Sequence, residues 1–279
     1  MNESSTFDIG GDLTVHRLGY GAMSLAGSDN MGSADNPDHA RRVLERVLDL
    51  GVDFVDTADM YGNGASECVI GDVVGDREDV VVATKGGIQK QPGDRDNAYT
   101  GRPTHVRNAA LRSAVRLRTD TIDLYQYHRP ALDTPFEDTV AALAELREEG
   151  LVRHVGLSNV SVDQLEEARD VVDIAMVQNR YNVVDREHDD VLEACEEYDI
   201  GFMPYSPLNK GSFESRTDAL DEAARAHDAT RHQVALAWLL HRSPVILPIP
   251  GTLDIDHLEV NVAASRLDLS DDEMARLDG

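Results

Sequence analysis

Val52-Asp53-Phe54-Val55-Asp56-Thr57-Ala58-Asp59-Met60-Tyr61-Gly62 begins as a short apolar run, 52–55, and ends in polar side chains. The run reads as a buried strand, and Asp56, with Tyr61 five residues on, puts two polar groups at its mouth. The same arrangement recurs. Run 80–84 ends at Lys85, run 122–127 at His128, and run 155–157 at Ser158 and Asn159. Run 175–177 ends at Gln178, and run 201–204 at Tyr205 and Ser206. Run 245–247 leads into Pro248-Ile249-Pro250-Gly251-Thr252. Were these strands parallel neighbours, all the polar ends would converge on one site.

Helical spacing separates the strands. It predicts helices over 38–50, 66–74, 104–117, 135–149, 162–171, 188–198, 217–227, 231–241 and 254–265, with 271–277 last. Gly75, Gly150 and Gly201 stand where helix stops are expected. Residues 7–15 alternate around Gly10-Gly11-Asp12, a hairpin signal, placed at the floor of the fold. Residues 18–23 read as the first strand and turn, whose glycines allow close approach to the backbone, and Gly21, Ala22 and Met23 are candidates to contact a cofactor there. About eight strands, each feeding a helix, are the pattern of an α/β (β/α)8 barrel. The rival, a doubly wound open sheet, lacks support, because 19–24 has no third glycine and no helix follows it directly. No linker or repeat divides the chain, so one barrel domain is expected over 1–279. The longest unpatterned stretch, 86–102, is either a wall or lid on the active face or a polar surface loop.

Charge excludes some partners. The chain carries 52 acidic against 26 basic residues, a formal net charge of -26, and its only lysines are Lys85, Lys90 and Lys210. Such a surface repels nucleic-acid phosphates and anionic membranes at low salt, so neither is an expected partner. Acids scattered through helices rather than gathered in a tail suit a salt-rich cytoplasm that screens self-repulsion, and a halophilic source is expected. No secretory signal and no bilayer-length apolar run are visible, so a cytoplasmic location is expected. Cys68 and Cys195 share no metal-type spacing and read as free thiols.

Tyr61, Lys85, Asp56 and His128 at one mouth would form a proton donor for a carbonyl. A tyrosine hydroxyl titrates near about 10, too high to release its proton readily at neutral pH. A lysine cation close by favours the phenolate and lowers that value, and a carboxylate keeps the lysine charged and oriented. Histidine can fix the carbonyl oxygen. Together they protonate oxygen as hydride reaches carbon, with general-acid help worth roughly 10²–10⁴ in rate. Singly, each has a plainer reading: Asp56 as a turn cap, Tyr61 as packing, His128 as a loop histidine, Ser158-Asn159 as a helix cap. Lys85 and Gln178 resist one, since each closes an apolar strand and must find a partner there. A metal-dependent barrel hydrolase built on Asp56 and His128 would need more ligands. The other strand ends offer Lys, Ser, Asn, Gln and Tyr, so no metal is expected.

Asp56-Thr57-Ala58-Asp59-Met60-Tyr61-Gly62, Ala83-Thr84-Lys85-Gly86-Gly87, Asp123-Leu124-Tyr125-Gln126-Tyr127-His128-Arg129-Pro130, Gly156-Leu157-Ser158-Asn159 and Tyr205-Ser206-Pro207-Leu208 resemble, in order, the signatures of the aldo-keto reductases. The similarity runs from about Leu18 to Ala264 and is closest to general bacterial and archaeal members with a short C-terminus. It implies Asp56, Tyr61, Lys85 and His128 as the catalytic set. It also implies a nicotinamide cofactor bound across the barrel mouth without a Rossmann domain, its carboxamide on Ser158, Asn159 and Gln178 and its ring on Tyr205. The turn from Ser206 through Leu208 would cradle the pyrophosphate, with Lys210 adding a cation.

Many relatives carry a Lys-Ser pair and an Arg at the 2′-phosphate. Here those positions are Gly251, Thr252 and His257, with Asn261 at the adenine. NADP(H) is favoured and NAD(H) is possible. The implied activity is reversible reduction of an aldehyde or ketone, and the alternative is a redox-sensing or regulatory subunit with little turnover. The substrate would be a small carbonyl compound in an open site walled by Met23, Met60, Tyr99, Arg129 and the 86–102 stretch. A monomer or small homo-oligomer is expected.

Overall fold

The computed structural model describes residues 6–27, 32, 34–75, 77–90 and 97–279. Seven parallel strands form the central sheet: β3 (Tyr20–Gly21), β4 (Phe54–Asp56), β5 (Val81–Gly86), β8 (Ile122–Tyr127), β9 (Val152–Ser158), β10 (Ile174–Gln178) and β11 (Gly201–Phe202). They lie side by side in chain order, each joined to the next by a crossover, as parallel pairing requires. The predicted eighth strand, 245–247, pairs with β11 at one bridge, Phe202 with Ile246. The reason lies on its other edge. Gly19 N–H donates to Pro248 O at 3.0 Å and Gly21 N–H to Pro250 O at 3.3 Å, but neither proline has an N–H to return. These one-way bonds, with Phe202 N–H to Val245 O at 2.8 Å and Leu247 N–H to Phe202 O at 2.9 Å, close the α/β barrel.

The approach is tight. A Cβ on Gly21 would lie 2.6 Å from Ile249 O, and one on Gly251 would lie 2.3 Å from Gly21 O. Both glycines are therefore demanded by barrel closure itself.

The expected hairpin is β1 (Thr6–Ile9) and β2 (Leu13–His16), turned at Gly10 and Gly11, both with positive φ. Ile9 and Val15 pack in one cluster with Phe54, Ala83, Leu124, Met176, Met203 and Leu247, side chains that point into the barrel. The hairpin thus plugs the floor. Asp12 ties it there by accepting from Arg153 Nη2 at 2.8 Å and lying 2.6 Å from His154 Nε2. A larger shell of Leu, Val and Ala packs the strands against the surrounding helices.

Helices fall where the spacing places them. α1 (Pro37–Asp49) starts at an Asn36 cap, and α5 (Val162–Arg169) at a Ser161–Gln164 capping box. Ser161, not Ser158-Asn159, therefore caps α5. After α6 (Asp189–Glu197) the left-handed residue is Asp199 rather than Gly201, which already belongs to β11. The stretch 86–102 is not featureless: β6 (Ile88–Lys90) and β7 (Asn97–Tyr99) pair as an antiparallel ribbon. Pro92 and Gly93 lie outside the described residues.

Candidate active site

The C-terminal ends of the strands open into a cleft of about 810 Å³. Asp56, Tyr61 and His128 line it, together with Ser158, Asn159 and Gln178. Lys85 is fully buried alongside. Its ammonium donates to both Asp56 carboxylate oxygens and to Thr57 O, each at 2.7 Å. All three N–H groups of the lysine are thereby engaged. Gln178 and Gln126 add their Nε2 donors to Asp56 Oδ1 at 3.0 and 3.2 Å. Three polar side chains, from β5, β8 and β10, thus converge on the single carboxylate that ends β4, which explains why each strand tolerates a polar end.

Tyr61 and His128 meet edge to face, ring centroids 6.1 Å apart, and the Lys85 ammonium lies 5.6 Å from the Tyr61 centroid. The tyrosine departs from expectation. Burial, followed by the charges of Asp56, Tyr205 and Asp59, pushes its pKa well above the ordinary phenol value. Asp56 holds Lys85 bidentately and offsets the field that would otherwise favour the phenolate. Tyr61 therefore keeps its proton at neutral pH. His128 goes the other way: burial, then Lys85 and Arg129, hold its pKa well below the usual range, so the ring is neutral. Its Nδ1 is buried without a partner, while its backbone N–H donates to Gly86 O at 2.9 Å.

The other predicted residues divide. Gly21, Met23, Tyr205, Ser206, Leu208 and Lys210 all line the cleft, as do Gly251, Thr252, His257 and Asn261. Ala22 does not line it; it is wholly buried, and its carbonyl accepts from Ser66 Oγ at 2.9 Å. Asn159 bridges the mouth, its Nδ2 donating to His128 O at 3.0 Å and its Oδ1 accepting from Tyr205 Oη at 2.9 Å. The 206–210 turn is an observed outlier, with Ser206, Asn209 and Lys210 at φ of 54°, 43° and 55°. Left-handed backbone at three non-glycine residues is strained, and turns of this kind aim successive N–H groups outward as anion cradles. The donor-lined cleft and this turn fit a phosphate-bearing dinucleotide.

Several residues were missed. Gln126 carried the same signal as Gln178, a glutamine on an apolar strand. His232 also lines the cleft beside Thr230, and nothing in the local pattern announces it. Behind the site lies a buried group with no linear signature: Glu67 accepts from Thr84 Oγ1 and Arg116 Nε, both at 2.6 Å. Nearby, Asp59 Oδ1 is buried without a partner, and burial, then Glu67, pushes its pKa up to about 8.

The unfolded chain releases the Asp59 proton near the ordinary carboxylate value of 3.8, whereas burial lets the folded chain hold it to about pH 8. Between those values folding requires a proton the unfolded chain has lost, so the Asp59 contribution makes stability fall as pH rises. Asp59→Asn should therefore raise the melting temperature at pH 8 more than at pH 5. An equal shift at both would contradict the assignment.

Comparison with known proteins agrees with this geometry. The aldo/keto reductase family model matches residues 17–279. An oxidoreductase of Schizosaccharomyces pombe is 39% identical over 96% of this chain and 87% of its own length. Pyridoxine 4-dehydrogenase of Escherichia coli is 37% identical over 99% and 98%. Among solved structures, an aldo-keto reductase from Klebsiella pneumoniae in complex with NADPH superposes with a TM-score of 0.82 at 27% identity, covering 98% of this chain and 94% of that one. The chain belongs to the aldo/keto reductase family, as an NAD(P)H-dependent oxidoreductase acting on carbonyl groups.

Proposed function

We propose that Tyr61, His128, Lys85 and Asp56 carry out reduction of a small aldehyde or ketone, with NADP(H) as the favoured cofactor. The observation that supports it best is the buried Lys85–Asp56 pair beside Tyr61 and His128, which meet edge to face at the floor of the cleft. When bound, the reduced nicotinamide supplies hydride. Ser158, Asn159 and Gln178 would hold its carboxamide, Tyr205 its ring, and the 206–210 turn with Lys210 its pyrophosphate. Gly21, Met23, Gly251, Thr252, His257 and Asn261 would hold the rest.

A neutral imidazole has an N–H to orient the carbonyl oxygen without competing as a stronger acid. Tyr61 then gives its hydroxyl proton to that oxygen. Lys85, anchored by Asp56, steadies the phenolate charge that develops only at that moment, which favours the transition state over the ground state. In the reverse direction the same phenolate takes the proton back.

The dinucleotide preference rests on the NADPH complex of the Klebsiella relative; the loss of the basic pair that many relatives carry at the 2′-phosphate counts against it, and Thr252 and His257 are left to hold that phosphate. We further infer a single domain from 1 to 279 and a cytoplasmic, halophilic protein, supported by the net charge of -26 and the three-lysine composition. No helix among the described residues is long and apolar enough to cross a membrane.

The deciding assay follows NADPH and NADH oxidation with a panel of neutral aldehydes and ketones in molar KCl, alongside fluorescence titration of each dinucleotide. Turnover faster with NADPH is expected, as is a higher melting temperature in molar than in low KCl. Tight dinucleotide binding with no turnover of any carbonyl would leave a sensor rather than a reductase. Equal melting in both salts would remove the halophilic reading.

A further inference from the structure

We infer that Arg129 is the anchor for an anionic group on the substrate, so that the preferred substrates are aldehydes or ketones that carry a carboxylate. The inference rests on the reductase reading of the cleft and narrows it.

The charge of the cleft runs against that of the chain. The protein has twice as many acids as bases, yet among the described residues lining the cleft Asp56 is the sole carboxylate. It is already held bidentately by Lys85. Two permanent cations remain on the lining, Lys210 and Arg129. Lys210 lies in the strained 206–210 turn, which suits the dinucleotide phosphates. Arg129 directly follows His128 and packs against the ribbon wall, its guanidinium carbon 5.7 Å from the Tyr99 ring centroid.

Elsewhere on this acidic surface arginines are gripped by carboxylates, as Arg41 is by Asp72, Arg107 by Glu149 and Arg153 by Asp12. Arg129 instead donates through Nη2 to the neutral Asn159 Oδ1 at 2.8 Å, and no carboxylate among the described residues forms an ion pair with it. A guanidinium has five donors in a planar fork that matches a carboxylate. Stacking against Tyr99 and the bond to Asn159 hold this fork beside the catalytic histidine. Its field is local, whereas the net negative charge of the whole molecule is screened beyond about 8 Å at physiological ionic strength and about 3 Å at 1 M salt. A carboxylate-bearing carbonyl compound, repelled by the molecule at large, meets its one complementary charge next to the reacting centre.

The plainer alternative is that Arg129 only positions Asn159. A matched pair of substrates separates the two. The kcat/KM values of 4-carboxybenzaldehyde and of its neutral methyl ester would be measured with NADPH, for the wild type, Arg129→Gln and Arg129→Lys. The wild type should favour the acid. Arg129→Gln should lower the acid-to-ester ratio by at least about tenfold, the loss expected of one charge-assisted contact, mainly through KM. Arg129→Lys should restore part of that ratio. Dinucleotide affinity and melting temperature, measured on the same variants, report any disturbance of Asn159 or of folding. A ratio equal in wild type and Arg129→Gln, whether both substrates decline together or neither does, overturns the inference and leaves the reductase reading intact. A wild type that reduces neither substrate overturns the inference as well, and the panel of neutral aldehydes and ketones then decides the reductase reading separately.

Discussion

Tyr61→Phe should reduce carbonyl turnover by roughly 10²–10⁴ while leaving dinucleotide affinity nearly unchanged. The substitution removes one oxygen and little else, since the ring still packs edge to face on His128. The lost atom is the proposed proton donor, so the loss should fall on kcat rather than on KM for the carbonyl. The structure adds a pH signature. Because burial and neighbouring negative charge raise the phenol pKa, the acid form persists through neutral pH, and wild-type reduction should stay level there and decline only in strong alkali. Single-turnover rates from pH 6 to 9 provide the check. A wild-type rate in the Phe variant would remove Tyr61 as the acid.

Lys85→Met should produce the largest loss of stability, about 3–5 kcal/mol, together with a collapse of activity. Lys85 is fully buried and satisfies both oxygens of Asp56. Without it a carboxylate remains inside the barrel with only the Gln126 and Gln178 amides to solvate it. Methionine fills the volume without supplying charge, so the deficit is electrostatic and not a cavity. Removing both charges, in Asp56→Leu combined with Lys85→Met, should therefore recover much of the lost stability while remaining inactive. Chemical denaturation of the three variants tests this. A double variant no more stable than Lys85→Met would show that packing, not the unpaired charge, sets the cost.

Legibility followed the range of the interactions. Apolar runs ending in polar residues identified the strands because a buried strand has no other reason to finish in Asp, Lys or Gln. Gln126 escaped notice although it obeys that logic, because it lies one residue before the end of β8 and Tyr127 and His128 follow it. The ribbon at Ile88–Lys90 and Asn97–Tyr99 shows no pattern in the sequence, since three-residue strands are too short to alternate visibly. The half-formed closing strand was foreseen as a regular one; its prolines were plain in the chain, but which edge they would face was not.

What the order of residues determined by itself was the barrel, its hairpin plug and most of the polar groups that meet at the strand ends, because alternation, helix spacing and strand-end polarity are local properties of the chain. What only the tertiary structure decided was the protonation of that site. Whether Lys85 lowers the Tyr61 pKa, or Asp56 and burial raise it, depends on which groups share one low-dielectric volume. The same holds for Asp59 against Glu67 and for Arg129, which meets no carboxylate among the described residues of an acidic molecule: charge acts through space, and distance across the barrel is set by folding.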